Sequence, residues 1–402
     1  MKILLASMDN SNIYRRGGKH IHQILLQKGL EEQGHTVVAI FPPKRPFVTR
    51  AFQKSLLVVK MESLFQHFSL FIHHSIHSIE SQVLLNTRDE DFDAISAQDP
   101  AAALAASNVL RKTGRSIPIF LTLHGYFSRE LVNYHHFCPR DRDLAYNFCM
   151  NIEREAIRQV KGVIAVDSRI KDYVVQELKF CESRCQVHYN AIDNIRFHPV
   201  STEEARALKR DVFRIGHDQS VVLVARRLVK KNGVIYGTRA MKYLQDKGVC
   251  DFSMFVAGSG PEEREIKNEC KRLNTQGKIH FLGEVSHDNI DRFYKAADII
   301  LLPSIRSDNI EEASSLSMLE GMVCGKIVIA SAIGGMKEIV HDRENGLLVQ
   351  EKDPKSISDA IEWTVSNRSL SEKIRVRAHE FAMANHGYRE HAVRFLDLIA
   401  HV

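Results

Sequence analysis

Two glutamates with seven residues between them, Glu312 and Glu320, and a group of four cations, Arg226, Arg227, Lys230 and Lys231, are the side chains of this sequence best suited to a chemical task. The glutamates lie in a stretch, Glu311 to Gly325, that reads as a loop turning into a helix, and they bracket the helix start. Leu316, Met318, Leu319, Met322 and Val323 recur at helical spacing, Ser314 or Ser315 stands where an N-cap is expected, and Gly325 is a natural stop. A helix start carries free N–H groups and partial positive charge, so it suits an anion such as a phosphate. Glu312 precedes the cap and Glu320 lies within the helix, and both can reach a ligand at the N-terminus. The plain alternative is a buried helix with two solvated glutamates. The four cations follow the apolar run Val221 to Ala225 and precede Gly233, and a strand-to-helix junction so charged is a second anion site. A third candidate is His124, directly after the apolar run Pro118 to Leu123. Ligand crevices in open parallel sheets lie at the carboxyl ends of strands, although a packing histidine would also fit.

The elements that must position these groups alternate along the whole chain. The N-terminal stretch Met1 to Asp9 supplies a first strand, and Gly17-Gly18 open a helix from about Lys19 to Gln33, followed by the strand Thr36 to Phe41. This is a βαβ unit with a glycine turn at its helix start. Further strands are expected at 94–96, 118–123 and 162–166, with helices over 101–111 and 144–159. In the second half, strands are expected at 221–225, 252–257, 278–283, 299–303 and 327–330, with helices between them. Residues 187–200 are polar enough to read as a linker. The chain is therefore expected to be α/β, with one doubly wound domain over 1–195, another over 196–384, and a final helix, about 385–402, packing back on the first. Two such sheets facing each other leave an interdomain cleft, a favoured place for ligands.

Length and composition agree with that reading. At 402 residues the chain exceeds one core, and 44% hydrophobic with 26% charged residues is ordinary for a globular enzyme. A net charge of +6 suits an anionic ligand but is too mild to indicate nucleic acid. The seven cysteines form no CxxC pair, so reduced thiols in a cytoplasmic protein are expected. No apolar run reaches the 18 or so residues a membrane span needs. Residues 44–77 interleave basic and aromatic side chains in the manner of an amphipathic helix pair, which would either cover the sheet or touch the inner face of a membrane peripherally. His73, His74 and His77 in that stretch are not assigned a metal.

Taken in order, these landmarks resemble family 4 of the retaining glycosyltransferases, which have the GT-B fold of two Rossmann-like domains. The resemblance covers nearly the whole chain. It rests on Ala225-Arg226-Arg227-Leu228 with Lys231-Asn232-Gly233, Gly258-Ser259-Gly260-Pro261, Phe281-Leu282-Gly283, Ala297-Asp298 with Pro303-Ser304, the Glu312 and Glu320 pair, and Gly334-Gly335-Met336-Lys337-Glu338. Gly17-Gly18, His124-Gly125 and Asn190-Ala191-Ile192-Asp193 add to it. The resemblance implies a sugar transfer from a nucleotide diphosphate sugar, with UDP-GlcNAc or UDP-glucose favoured over a GDP-sugar, to a hydroxyl of a glycan, a lipid-linked acceptor or a small molecule. Anomeric configuration would be retained.

The resemblance also implies roles. Arg227 and Lys231 would hold the diphosphate, Glu320 the ribose, and Glu312 the hydroxyls of the transferred sugar. Phe281, Leu282 and Val285 would pass along the base beside Gly258, while Ser314, Ser315 and Leu316 would offer backbone N–H groups. Gly17 and Gly18 would admit the donor, and His124 would lie beside the reacting carbon. With two cations and a helix start to neutralise the leaving group, no metal or other cofactor is expected. Three positions depart from the family pattern. Asn232 stands where the family has lysine, Ala313-Ser314-Ser315 replaces a glycine-rich loop, and Ala191 replaces a glycine. A sugar-nucleotide epimerase or hydrolase of the same fold, or a non-catalytic binding subunit, are the competing readings.

Overall fold

Runs such as Ile3-Leu4-Leu5 and Val221-Val222-Leu223-Val224 are apolar at every position, so their strands need cover on both faces. In the computed structural model, all of these side chains are buried. The structure describes residues 1–9, 17–42, 64–133, 137–216, 219–249, 251–307 and 310–401. The chain forms two units, Met1–Tyr189 with His391–Val402, and Asn190–Glu390.

The first unit contains β1 (Lys2–Ala6), β2 (Thr36–Ile40), β3 (Ala94–Ala97), β4 (Ile119–Leu123), β5 (Gly162–Ala165) and β6 (Cys185–Val187). Among the described residues they make one parallel sheet in the order β2-β1-β3-β4-β5-β6. The order reverses between β1 and β3. The helix Pro100–Thr113 shows how sequence sets a boundary here. Asp99 caps it by accepting from the amide of Ala102, Pro100 tolerates the first turn, and a left-handed Gly114 ends it.

The second unit contains β7 (Ser220–Ala225), β8 (Phe252–Ala257), β9 (Ile279–Gly283), β10 (Ile299–Leu302), β11 (Ile327–Ser331) and β12 (Leu347–Val349). These also form a parallel sheet, in the order β12-β11-β10-β7-β8-β9, reversing between β7 and β10. Its core brings Val222, Val224, Met254, Leu301 and Ile329 of the strands together with Met241, Ile266, Ile361 and Ile374 of the helices.

Several boundaries differ from the sequence reading. The first crossing between units lies after Tyr189 rather than Ile195, because residues 190–197 are not a loose linker. Asn190 donates to the Ser314 hydroxyl at 2.9 Å and to its carbonyl at 3.1 Å, Ile192 pairs with Gly387, and Ala191 and Phe197 are buried. The return crossing lies after Glu390. Helix Pro139–Gln159 begins five residues before the expected Leu144, because Pro139 occupies its first turn. The expected helix pair over 44–77 lies partly outside the described residues. From Leu64 onward the chain is one helix, Leu64–Asp89. No helix among the described residues is long and apolar enough to cross a membrane.

From His391 the last helix, Tyr388–His401, belongs to the first unit, where Ala392, Phe395 and Ile399 join Ile3, Leu5, Leu26, Phe120 and Ile164 in one core. Phe395 is only 1% exposed. Replacing it with alanine is expected to cost about 3–5 kcal/mol through lost burial and an unfilled cavity. Urea denaturation followed by tryptophan-independent far-UV circular dichroism checks this, and an unchanged midpoint would contradict the packing described.

Candidate functional site

In the second unit the candidate residues gather at the point where the strand order reverses, beyond the carboxyl ends of β7 and β10. That is where open α/β sheets hold ligands. Two close backbone approaches build the place. Gly233 has φ +59°, and a Cβ there would come within 2.0 Å of the Pro303 carbonyl oxygen, just past β10. Gly258 has φ +145°, and a Cβ there would come within 2.0 Å of the Arg226 carbonyl oxygen, just past β7. Neither position admits a side chain without displacing backbone. The amide of Ile305 donates to the Lys231 carbonyl at 2.8 Å, so the two loops are tied together.

Glu312 sits among the cations that these loops deliver. Its carboxylate is 2.9 Å from the Arg226 guanidinium and 3.5 Å from the Lys231 ammonium. Burial alone would raise the Glu312 carboxyl, but Arg226 and Lys231 outweigh burial and hold it at about 2. Arg226 is buried and also donates to the Asn232 side-chain oxygen at 2.7 Å and to the Ser315 hydroxyl at 3.2 Å. Arg227 and Lys230 are exposed. The structure therefore gathers Arg226 and Lys231 around Glu312, whereas the resemblance pairs Arg227 with Lys231. Arg226 was visible in the sequence only as one of four neighbouring cations. Nothing in the spacing says which of two adjacent arginines turns inward at a strand's end.

Ser315 occupies the N-cap position of the helix Leu316–Val323, but no side-chain capping bond is made. Its hydroxyl accepts from Arg226 instead, and the Ser314 hydroxyl accepts from Asn190. The helix start thus keeps backbone N–H groups that these two serines do not satisfy. Leu316 begins the helix half-buried. Glu320, one turn in, is buried, and burial raises it to about 7 against the pull of the Tyr294 hydroxyl. Phe281 and Leu282 lie at the end of β9 and Val285 just beyond, all half-buried. The Gly258 amide donates to the Gly283 carbonyl at 2.7 Å, which joins this segment to the end of β8.

The remaining candidates belong to the first unit. Gly17 and Gly18 are exposed at the start of the helix Gly18–Glu32. His124 follows β4 and stands 3.0 Å from the Gln98 side-chain oxygen. Gln98 donates its amide nitrogen to Ser96 at 2.8 Å, so its oxygen faces the ring and His124 Nε2 carries the proton. Burial first, then the neighbouring His22, Lys19 and His20, push His124 well below the usual histidine range, and the ring is neutral. One group here escaped the sequence reading. Lys19, in the first turn of its helix, is 2.8 Å from Asp99 and 3.0 Å from Asp9. Asp9 follows β1 and Asp99 follows β3, so this triad marks the reversal point of the first sheet, and only the strand order reveals it. Among the described residues no group of three or more histidines, cysteines or acids is arranged to hold a metal ion.

Residues 205–381 match the family described as glycosyl transferases group 1, and residues 16–196 match Glycosyltransferase Family 4. The chain belongs to glycosyltransferase family 4. An uncharacterized glycosyltransferase of Methanocaldococcus jannaschii is 30% identical over 213 residues, 53% of this chain and 53% of the relative. The 2-deoxystreptamine N-acetyl-D-glucosaminyltransferase of Streptomyces fradiae is 27% identical over 259 residues, 64% of this chain and 58% of the relative. In these matches the family 4 chain spans a little over half the length of its curated relatives. Among solved structures, sucrose-phosphate synthase of Thermosynechococcus elongatus superposes with a TM-score of 0.75 at 17% identity, covering 100% of this chain and 98% of the other. Anabaena HepE in complex with UDP superposes with a TM-score of 0.70 at 17% identity, covering 100% of both. The fold is GT-B.

The two glutamates make opposite contributions to stability as pH changes. Glu312 is held below its ordinary 4.5, so it stabilises the folded protein above that value and ceases to do so as pH falls from 4.5 toward 2. Glu320 is held above 4.5, so the folded protein keeps a proton that the unfolded chain releases, and stability is lost as pH rises from 4.5 through about 7. Glu320→Gln is expected to leave the thermal midpoint unchanged near pH 4 and to raise it at pH 8, by a stability gain on the order of 1–3 kcal/mol. Melting curves across that range check it, and equal gains at both ends would contradict the burial argument.

Proposed function

We propose that this protein is a retaining glycosyltransferase that moves a sugar from a UDP-sugar to a hydroxyl of a glycan, lipid-linked or small-molecule acceptor. The observation that carries this reading is the buried Glu312 carboxylate held by two cations at a helix start, beyond β7 and β10. Two positive charges, one negative charge and free helix N–H groups leave an excess of positive potential where a dianionic leaving group must be stabilised. The UDP and UDP-glucose complexes of HepE support a nucleotide-sugar donor for this family 4 chain as well.

In this mechanism the diphosphate is held by Arg227 and Lys231 and by the backbone amides of Ser314, Ser315 and Leu316. Glu320 binds the ribose hydroxyls, and Phe281, Leu282 and Val285 flank the base. As the anomeric C–O bond breaks, an oxocarbenium-like centre forms and negative charge collects on the departing diphosphate. Each charge-assisted hydrogen bond to it contributes about 1.5–3 kcal/mol. The acceptor hydroxyl attacks from the leaving-group face and gives its proton to the diphosphate, which retains configuration. Glu312 orients the transferred sugar through its hydroxyls. The protein's own cations do the neutralising, so the reaction needs no metal.

UDP and UDP-sugars are expected to raise the thermal midpoint of the protein, by about 2.7 kcal/mol of stabilisation at a hundredfold excess over Kd, while GDP-sugars do so less. Arg227→Ala is expected to weaken UDP binding and transfer together. Transfer should survive chelator, and product analysis should find little free sugar when acceptor is omitted. Strict metal dependence would overturn the leaving-group assignment, and rapid release of free sugar would favour a hydrolase.

A further inference from the structure

Glu153, on the helix Pro139–Gln159 of the first unit, is fully buried. Its hydrogen bonds all reach one oxygen. The Ser128 hydroxyl and the Ser128 amide, the latter at 3.3 Å, donate to Glu153 Oε2, and so does the Tyr173 hydroxyl at 3.0 Å. Glu153 Oε1 has no hydrogen-bond partner among the described residues. Ser128 and Tyr173 are themselves buried. Taking a carboxyl out of water costs free energy. What Glu153 gains is a hold on two other segments.

The first of these segments carries His124. Ser128 is the second residue of the short helix Phe127–Asn133, which follows β4 after His124-Gly125-Tyr126. That turn is tight. The Glu130 amide donates to the Tyr126 carbonyl at 2.8 Å, and the Glu130 carboxylate lies against Gly125, where a Cβ would collide with it. The second segment is the helical turn Tyr173–Glu177. The Tyr126 and Tyr173 rings meet edge to face at 5.1 Å, the Arg129 guanidinium lies over them at 4.8 and 5.3 Å, and Arg129 pairs with Glu177 at 2.7 Å. The His124 ring itself meets Gln98 at 3.0 Å and the His22 ring, edge to face, at 4.7 Å. Gln98 and His22 thus hold the ring, while Ser128 holds the backbone that carries it.

We propose that Glu153 is a positioning residue for sugar transfer, holding Ser128 and thereby fixing the turn that sets His124. This rests on the reading of His124 as a residue of the transfer site. The hold depends on a proton. Burial raises the Glu153 carboxyl to about 7, against the pull of Ser128, Tyr173 and Arg129. The other titratable groups that face it are Cys149 of its own helix and Tyr173, and both are pushed above their ordinary values, first by burial and then by Glu153, so they stay protonated. A turn that opens returns Glu153 to water and to its ordinary 4.5, so the closed form keeps a proton that the open form releases. The hold is therefore fully present below 4.5 and is lost as pH rises through about 7.

Hydrogen exchange corrected for intrinsic rates, together with NMR of the histidine rings, tests this on the full chain, on Glu153→Gln, on Ser128→Ala and on the double variant. In the parent, protection over residues 124–133 is expected to fall on the order of tenfold or more between about pH 5 and about pH 8, and to stay level in Glu153→Gln, which keeps the shape without the charge. The His124 ring signal, identified by its loss in His124→Asn, is expected to shift with a midpoint near 7 in the parent although the ring stays neutral, and to hold still in Glu153→Gln. Ser128→Ala is expected to lower the protection and abolish the shift, and adding Glu153→Gln to it should change neither further. A shift that persists in Glu153→Gln would trace to Lys19, His20 or His22 beside the ring and would overturn the proposal. Protection with the same pH dependence in the parent and Glu153→Gln would overturn it too, as would protection lost evenly across the whole first unit, which would make Glu153 a fold residue only. If His124→Ala left sugar transfer unchanged, the reading of His124 on which the proposal rests would fail instead.

Discussion

A carboxylate taken out of water must be matched by positive charge, and the placing of Glu312 between Arg226 and Lys231 is the constraint on which the second unit's functional end depends. The cations can be there only because β7 stops at Ala225 and the chain then runs close under β8, with glycine at 258 leaving room for it. Lys231 can be there only because Gly233 lets its turn press against Pro303 beyond β10. The helix Leu316–Val323 completes the arrangement from a third direction, with Ser317 donating to the Ala225 carbonyl at 2.8 Å. The loop after β7 and the segment that carries Glu312 into its helix, distant in sequence, thus converge on one charge. Each is anchored by backbone geometry rather than by the charge itself.

The first unit solves an analogous problem with the signs reversed. Lys19 is enclosed by Asp99 and Asp9, and although burial alone would lower its ammonium, the two carboxylates raise it above the usual lysine range. Both sheets therefore carry an ion cluster with a buried member, Asp99 in the first and Arg226 in the second, where their strand order reverses. In each, strand ends that are neighbours in the sheet but far apart in sequence supply the charges. Local side chains join in, with Ser7 donating to Asp99 and Gln23 donating to Ser7 in the first unit, and Asn232 and Ser315 accepting from Arg226 in the second.

Much of this was legible in the sequence, for identifiable reasons. The strands Phe252–Ala257, interrupted only by Ser253, and Ile299–Leu302 are apolar runs bounded by glycine, aspartate or proline, and such runs announce buried parallel strands. The pair Glu312 and Glu320, the cation group and His124 stood out because charged or titratable side chains at the ends of apolar runs are unusual. Less was legible where tertiary partners decide. β6 and β12 are three residues long and carry no pattern of their own. The inward turn of Arg226 rather than Arg227 depends on which way the chain leaves β7. Residues 190–197 look polar enough for a linker, yet Asn190 spends its polarity on Ser314 and the chain there is held in the second unit. Polarity in a sequence does not distinguish a group that meets water from one that meets a backbone carbonyl.

The last helix carries a consequence for biosynthesis. Phe395 and Ile399 fill the same core as Ile3 and Leu26, so residues separated by nearly the whole chain must meet before the first unit is complete. On the ribosome the N-terminal sheet emerges first, but its core stays open while all of Asn190–Glu390 is translated. The second unit is continuous in sequence and can close its own core ahead of the first. A second unit that closes first would leave the apolar face around Ile3, Leu26 and Val37 uncovered until Ala392, Phe395 and Ile399 arrive.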